Sequence, residues 1–273
     1  MRTIAVIPAR FRSQRLPGKP LARIGDRSLI EHVYQRTAAA RLVDRILVAT
    51  DDLRIQDAVT AFGGECVLTS PDHQSGTDRV AEAVAGLEVD LVVNVQGDEP
   101  FLPARAIDQA IGACQKQAVI STLASPISTA QEFWDPNVVK VVIDRRGFAL
   151  YFSRWPIPFL ATPQMSADEV RRRFEEAAAP PSGSCLKHLG LYVYPKPLLL
   201  ELTGKGPSPL ERLERLEQLR ALESEMPIYV EKTNARSLAV DTPADLERAR
   251  KLFAEIGRPE KEEMDAANHL EQG

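Results

Sequence analysis

Along its first half the chain alternates apolar runs of strand length with helix-length segments. "TIAVI" (3–7) precedes a helical stretch over 28–40, "RILVAT" (45–50) one over 52–62, "ECVL" (65–68) one over 77–85, and "DLVVNV" (90–95) one over 103–117, before "VISTLA" (119–124). Neighbouring parallel strands need a long crossover connection, usually a helix, so this rhythm predicts an α/β chain with a mostly parallel sheet. The strands read as continuous apolar runs, not alternating ones, because helices cover both faces of such a sheet.

The texture changes after residue 138. "VVKVVIDRRGFALYF" (138–152) is two β-rich runs joined at 144–147, which predicts a hairpin added to the sheet. Residues 155–184, rich in Pro, Ala and charge, predict a mobile lid or insertion with one helix over 168–178. A strand, "HLGLYVY" (188–194), and one long helix opening at Ser208 and Pro209 follow, with Leu210, Leu213, Leu216, Leu219 and Leu222 recurring every third residue. That spacing sweeps apolar side chains around a wide arc, so the helix is expected to be covered on two sides, by a homodimer partner or by the monomer's own core. A last strand, "RSLAV" (236–240), leads into a helix over 243–256. The expected organisation is one domain over 1–256, a lid at 155–184 and a frayed, charged tail at 257–273.

Charge and composition remove several function classes. With 34 Lys and Arg against 38 Asp and Glu, net charge −4, the chain is not a general nucleic-acid binder. No apolar run is long enough to span a bilayer and no secretory leader is visible, so the expectation is a soluble, cytoplasmic protein without membrane insertion. Three scattered cysteines, Cys66, Cys114 and Cys185, form neither a disulfide framework nor a zinc-ligand pattern.

Against this slightly acidic background, "IPARFRSQRLPGKPL" (7–21) places Arg10, Arg12, Arg15 and Lys19 in the loop leaving the first strand. Such loops border the crevice where α/β sheets bind ligands, and forked guanidiniums with a point-charge lysine suit a triphosphate. The loop is neither a Walker A nor a dinucleotide fingerprint, since its only glycine is Gly18. In "VVNVQGDEP", Asp98 and Glu99 follow a buried strand at the same sheet edge, where a carboxylate suits a phosphate-bound divalent cation. In "LAVDTPADL", Thr242, Pro243 and Asp245 satisfy the helix start, leaving Asp241 available. Asp98 and Asp241 together suit one metal in phosphoryl or nucleotidyl transfer; each also has a plain reading as a turn residue.

Seven segments then occur in order across nearly the whole chain: the basic loop, "DHQSGTDR" (72–79), "VNVQGDEP" (93–100), "YFSR" (151–154), "KHLGLYVY" (187–194), "SPLERLERLEQLR" (208–220) and "VDTPADL" (240–246). Together they resemble the 3-deoxy-manno-octulosonate cytidylyltransferase family, the CMP-Kdo synthetases of Gram-negative lipopolysaccharide assembly. The resemblance implies a Rossmann-like nucleotide-diphospho-sugar transferase fold and a reaction of CTP with Kdo, an acidic eight-carbon sugar, giving CMP-Kdo and diphosphate with Mg²⁺.

Residue by residue, it implies that Arg10, Arg15 and Lys19 hold the CTP phosphates, with Lys19 also at the α-phosphate, and that Ser75 and Gly76 lie against the nucleoside. It assigns Mg²⁺ to Asp98 and Asp241, and the sugar acid to Gln96, Arg154, His188, Tyr192 and Glu211. Plain readings stand beside these: an N-cap for Ser75, a core histidine for His188, and a capping box with Ser208 for Glu211. The chain departs from the family at Arg12 and Gln14, and in lacking an arginine within "WPIPFLATPQ" (155–164). Alternatives left open are a cytidylyltransferase for another acidic sugar, such as 8-amino-Kdo or a sialic acid, and a nucleotide-sugar glycosyltransferase.

Overall fold

A computed structural model describes residues 1–13, 15–73, 75–159, 168–169, 172 and 185–256. Most of the expected lid, including all of the helix expected over 168–178 except 168–169 and 172, and all of the tail at 257–273 lie outside the described residues.

The first half follows the expected alternation. Strand β1 (Thr3–Ala9) leads through a small antiparallel ribbon, β2 (Arg23–Ile24) and β3 (Arg27–Ser28), into α1 (Leu29–Ala38). Then come β4 (Arg45–Thr50), α2 (Leu53–Ala61), β5 (Cys66–Leu68), α3 (Gly76–Val84), β6 (Leu91–Val95), α4 (Ala104–Gln117) and β7 (Ile120–Pro126). Helix starts are set locally: Ser28, Asp52 and Ser75 each accept a backbone N–H of the first helical turn. Beyond β7 lie α5 (Ala130–Trp134), the hairpin β8 (Lys140–Ile143) and β9 (Ala149–Ser153), then β10 (Leu186–Pro195) and α6 (Lys196–Gly204). The chain continues with α7 (Pro209–Glu214), α8 (Gln218–Glu223), β11 (Ile228–Lys232) and α9 (Pro243–Ile256).

The described strands of the main sheet run in the order β11-β7-β10-β6-β1-β4-β5, with the β8–β9 hairpin joined to β10. β1 pairs in parallel with β4 and β6, β4 with β5, and β11 with β7, whereas β10 is antiparallel to both β6 and β7. One reversed strand is therefore wedged between the two parallel blocks. Alternate side chains of β1 feed opposite cores. Ala5, Ile7 and Ala9 pack with α1, α2 and α4, while Ile4 and Val6 pack with α3 and α6. Each fully buried Ile or Val contributes about 1.5–3 kcal/mol, which fixes the register of this central strand.

Two sequence expectations are corrected here. The single long helix from Ser208 is two short ones, because Arg215 takes the left-handed conformation (φ 53°) after α7. The break explains the third-residue leucine spacing: Leu216 and Leu219 enter the core, whereas Leu213 is 80 % exposed. The final strand among the described residues is Ile228–Lys232, and "RSLAV" forms no strand of the sheet. Instead, Val240 N–H donates to the Asp98 carbonyl at 2.8 Å. A separate cluster of Ile24, Leu29, Val240, Leu246 and Ala249 packs α9 onto the β2–β3 ribbon. These two ties carry Asp241 from the chain's far end to the mouth of β6.

Candidate active site

The basic loop owes its shape to Phe11. Its carbonyl accepts from Ser13 N–H (3.0 Å) and Gly18 N–H (3.1 Å), and its ring lies 3.3 Å beneath the Arg54 guanidinium. Gly18 is left-handed (φ 68°), and a Cβ there would stand 3.3 Å from the Phe11 ring, so glycine is required. Lys19 follows in a single 3₁₀ turn, with its chain directed at the β6 loop.

The Lys19 Nζ donates to Asp98 Oδ2 at 2.7 Å and to Asp241 Oδ1 at 3.0 Å, and Arg15 Nη2 lies 3.1 Å from Asp241 Oδ2. Burial alone lowers the lysine pKa, but the two carboxylates outweigh it and hold it above its ordinary value. Thr242 caps α9 in partnership with Asp245, as expected, so Asp241 serves Lys19 and Arg15 instead of its own helix.

These residues line a cleft of about 710 Å³ that also contains Arg10, Arg12, Gly76, Gln96, Asn137, Arg154, Arg215 and Glu217. A second cavity of about 630 Å³ adjoins it through Arg15, Asn137 and Asp241 and holds Glu99, Lys187 and His188. At the β10 bulge between them, a Cβ on Gly190 would come within 3.0 Å of both Gln96 Cγ and Glu99 Oε1. Burial and the neighbouring Asp98 push the Glu99 carboxyl up to about 7.

Ser75 caps α3, accepting from Asp78 N–H at 3.1 Å, and Gly76 opens onto the cleft. A Cβ on Gly76 would meet Pro8 Cγ at 3.5 Å, an ordinary contact, so the protein's own packing does not demand glycine there. His188 sits between Phe152 and Tyr192, with Nε2 2.9 Å from Thr122 Oγ1. Burial pushes its pKa down to about 3, keeping it neutral. Tyr192 is buried, and its hydroxyl has no hydrogen-bond partner among the described residues. Arg154 reaches the cleft, but its nitrogens donate to the carbonyls of Glu214 (2.9 Å), Pro136 (3.0 Å) and Arg215 (3.3 Å), bracing two loops.

The structure does not bring Glu211 to the cleft. It forms the capping box with Ser208, and both carboxylate oxygens are held by Arg220 at 2.7 and 2.8 Å. Arg220 also reaches Asp78 at 3.1 Å, locking α8 to α3. The glutamate that does line the cleft is Glu217, accepting from Gly76 N–H (3.2 Å) and Thr77 N–H (3.3 Å) at the start of α3. Sequence reasoning missed it because an unbroken helix gives no ground for preferring Glu217 to Glu211. Of the positions that depart from the family, Gln14 lies outside the described residues and Arg12 lines the cleft wall.

The sequence model of the cytidylyltransferase family matches residues 4–232. A protein of Syntrophotalea carbinolica named 3-deoxy-manno-octulosonate cytidylyltransferase is 52 % identical over 91 % of this chain and 97 % of its own length. The chain belongs to the 3-deoxy-manno-octulosonate cytidylyltransferase family. A second member, from Pelobacter propionicus, is 49 % identical over 94 % of this chain and 99 % of its own. Among solved structures, a CMP:2-keto-3-deoxy-manno-octonic acid synthetase complexed with CTP superposes with TM-score 0.81 at 38 % identity, covering 93 % of this chain and 99 % of that one. A glucose-1-phosphate thymidylyltransferase of Bacillus anthracis, TM-score 0.62 at 15 % identity, shares the fold.

The 3-deoxy-manno-octulosonate cytidylyltransferase reading implies a divalent cation, and the donor set fits one. Asp98 and Asp241 converge on a single positive charge, that of Lys19, with hard oxygen atoms. Among the described residues no group of three or more His, Cys, Asp or Glu forms a full protein cage. That suits Mg²⁺, which keeps water and phosphate ligands alongside one or two carboxylates.

Proposed function

We propose that the chain transfers the cytidylyl group of CTP to Kdo, releasing diphosphate, as a soluble cytoplasmic enzyme of lipopolysaccharide synthesis. The observation that carries this reading is the meeting, in one cleft, of the cationic loop after β1 with two carboxylates from separate parts of the chain. The anomeric oxygen of Kdo attacks the α-phosphorus of CTP, the bond to the bridging oxygen of the diphosphate breaks, and the hydroxyl proton passes to solvent.

Little covalent work falls to the protein, so its contribution is positioning and charge. Arg10 and Arg15 grip phosphate oxygens, while Lys19 places a point charge where negative charge grows at the α-phosphate. When bound, Mg²⁺ held by Asp98 and Asp241 would neutralise phosphate charge and lower the pKa of the acceptor hydroxyl. Gln96, neutral His188 and the unpartnered Tyr192 hydroxyl offer uncharged contacts to sugar hydroxyls. Glu217 takes the place given to Glu211 in the sequence reading. A homodimer belongs to the same proposal and is checked by light scattering of the purified chain.

Diphosphate release from the purified protein tests the reading, with CTP or UTP against Kdo, 8-amino-Kdo and a sialic acid. The expected result is release that requires both CTP and Kdo, with CTP preferred, because a site built for the cytosine amino group leaves acceptors unpaired when uracil enters. Release without an acidic sugar, or equal kcat/KM for CTP and UTP, counts against it.

A further inference from the structure

Lys140, at the start of β8, is fully buried yet forms no ion pair with a carboxylate among the described residues. Its ammonium donates to three backbone carbonyls: Asp135 at 2.9 Å, Val138 at 2.7 Å and Arg154 at 2.7 Å. An ammonium has three N–H donors, so the match is complete. The acceptors come from two separate segments, the 135–138 loop after α5 and the residue that follows β9. Arg154 returns the tie by donating from Nη1 to the Pro136 carbonyl at 3.0 Å. Asn137, carried between these anchored carbonyls, is one of three residues shared by the cleft and the second cavity.

Burying an ammonium is costly, and an apolar side chain would fill the same space at lower cost if packing were the whole purpose. We infer that Lys140 is a positioning residue for the acceptor sugar, pinning Asn137 at the junction of the two cavities and Arg154 in the cleft wall while taking no part in holding CTP. The inference rests on the proposed function, in which Arg10, Arg15 and Lys19 hold CTP and Gln96, Arg154 and His188 meet the sugar acid. The nucleotide's cations, Arg10, Arg15 and Lys19, stand on the segment after β1, where Lys19 pairs with Asp98 and Asp241 and Arg15 with Asp241.

The charge state of Lys140 supplies an independent handle. Its pKa is brought down to about 8 by burial first and then by Arg154, against the opposing pull of the Asp135 and Glu214 carboxylates. Its register neighbour on β10, Lys187, is paired with Glu132. A neutral amine has two N–H donors for three carbonyls, so the clamp loosens above that pH.

The test compares the wild type with Lys140→Met by steady-state kinetics from about pH 7 to 9.5, varying CTP and the sugar separately. Expected are a rise of about tenfold in KM for the sugar at pH 7.5 in the variant, a KM for CTP within about twofold, and a wild-type sugar KM that climbs above pH 8. The variant should lack that climb. Equal rises in both KM values, or a flat wild-type profile, would overturn the inference. The wild-type profile decides alone if the variant fails to fold. If Kdo is not the sugar turned over, the function reading fails on that point, and Lys140 is judged with whichever acidic sugar supports release. Amide hydrogen exchange over 135–138 needs no substrate at all: it should quicken in folded Lys140→Met relative to the β1 strand, and unchanged exchange there would count against the clamp.

Discussion

Two lysines, Lys19 lining the cleft and Lys140 buried behind the 135–138 loop, are held in opposite ways. Lys19 meets the oxygens of Asp98 and Asp241, whose attraction overrides burial and keeps its pKa high. Lys140 meets three carbonyls, which satisfy its hydrogen bonds without cancelling its charge, and burial brings its pKa down. The difference teaches that the partner, not the residue type, decides what a buried ammonium can do. Carboxylates keep Lys19 charged where a phosphate ligand can compete for it, whereas carbonyls make Lys140 a fixed brace. The prediction with the largest effect attacks the carboxylates themselves: Asp98→Asn or Asp241→Asn should lower turnover by orders of magnitude at saturating Mg²⁺ while unfolding stays cooperative. Near wild-type turnover in either variant removes that residue from the site.

Next in size is Lys19→Ala. Removing a donor aimed at growing charge should lower kcat by about 10²–10³, roughly 2.7–4 kcal/mol, with a smaller change in KM for CTP. Circular dichroism confirms that the fold survives. A variant that raises the sugar KM and spares kcat would give Lys19 the role assigned to Lys140, and the contrast between them would collapse.

The smallest effect sharpens the comparison through stability. The folded-state pKa of Lys140 lies below its ordinary 10.5, so the unfolded chain binds more protons between about pH 8 and 10.5, and the contribution of Lys140 to stability rises with pH across that window. Lys19 has its folded pKa above 10.5, so its contribution is fully present below that value and lost as pH rises through the folded pKa. Urea unfolding of wild type, Lys19→Met and Lys140→Met at several alkaline pH values reads both slopes. Wild-type advantages that change with the same sign in both variants would show that the two environments are not opposed.

Much of the parallel half was legible because its signals are local. Ser28, Asp52 and Ser75 announce helices that start where the caps say, and the β8–β9 hairpin turns at the glycine the sequence supplies, Gly147. The second half was read less well. The reversal of β10 depends on hydrogen bonds to both β6 and β7, and its own apolar run is compatible with either direction. The strand at Ile228–Lys232 was overlooked beside the more apolar "RSLAV", because pairing with β7 is what distinguishes them.

The same division holds in the site. The sequence by itself determined the cation-rich loop, the carboxylates at Asp98 and Asp241, and the cap that frees Asp241 from its helix, since residue type and short spacing encode each of these. The tertiary structure decided which groups meet. Lys19 and Asp241 are 222 residues apart and touch only because the α9 cluster and the Val240–Asp98 hydrogen bond return the chain to β6. The left-handed Arg215 turns Glu217 rather than Glu211 toward the cleft, and a buried lysine becomes a brace only when two distant segments offer it three carbonyls. Caps and strand runs are energies of neighbours in sequence, whereas an ion pair or carbonyl clamp exists only after the core has fixed both partners in space.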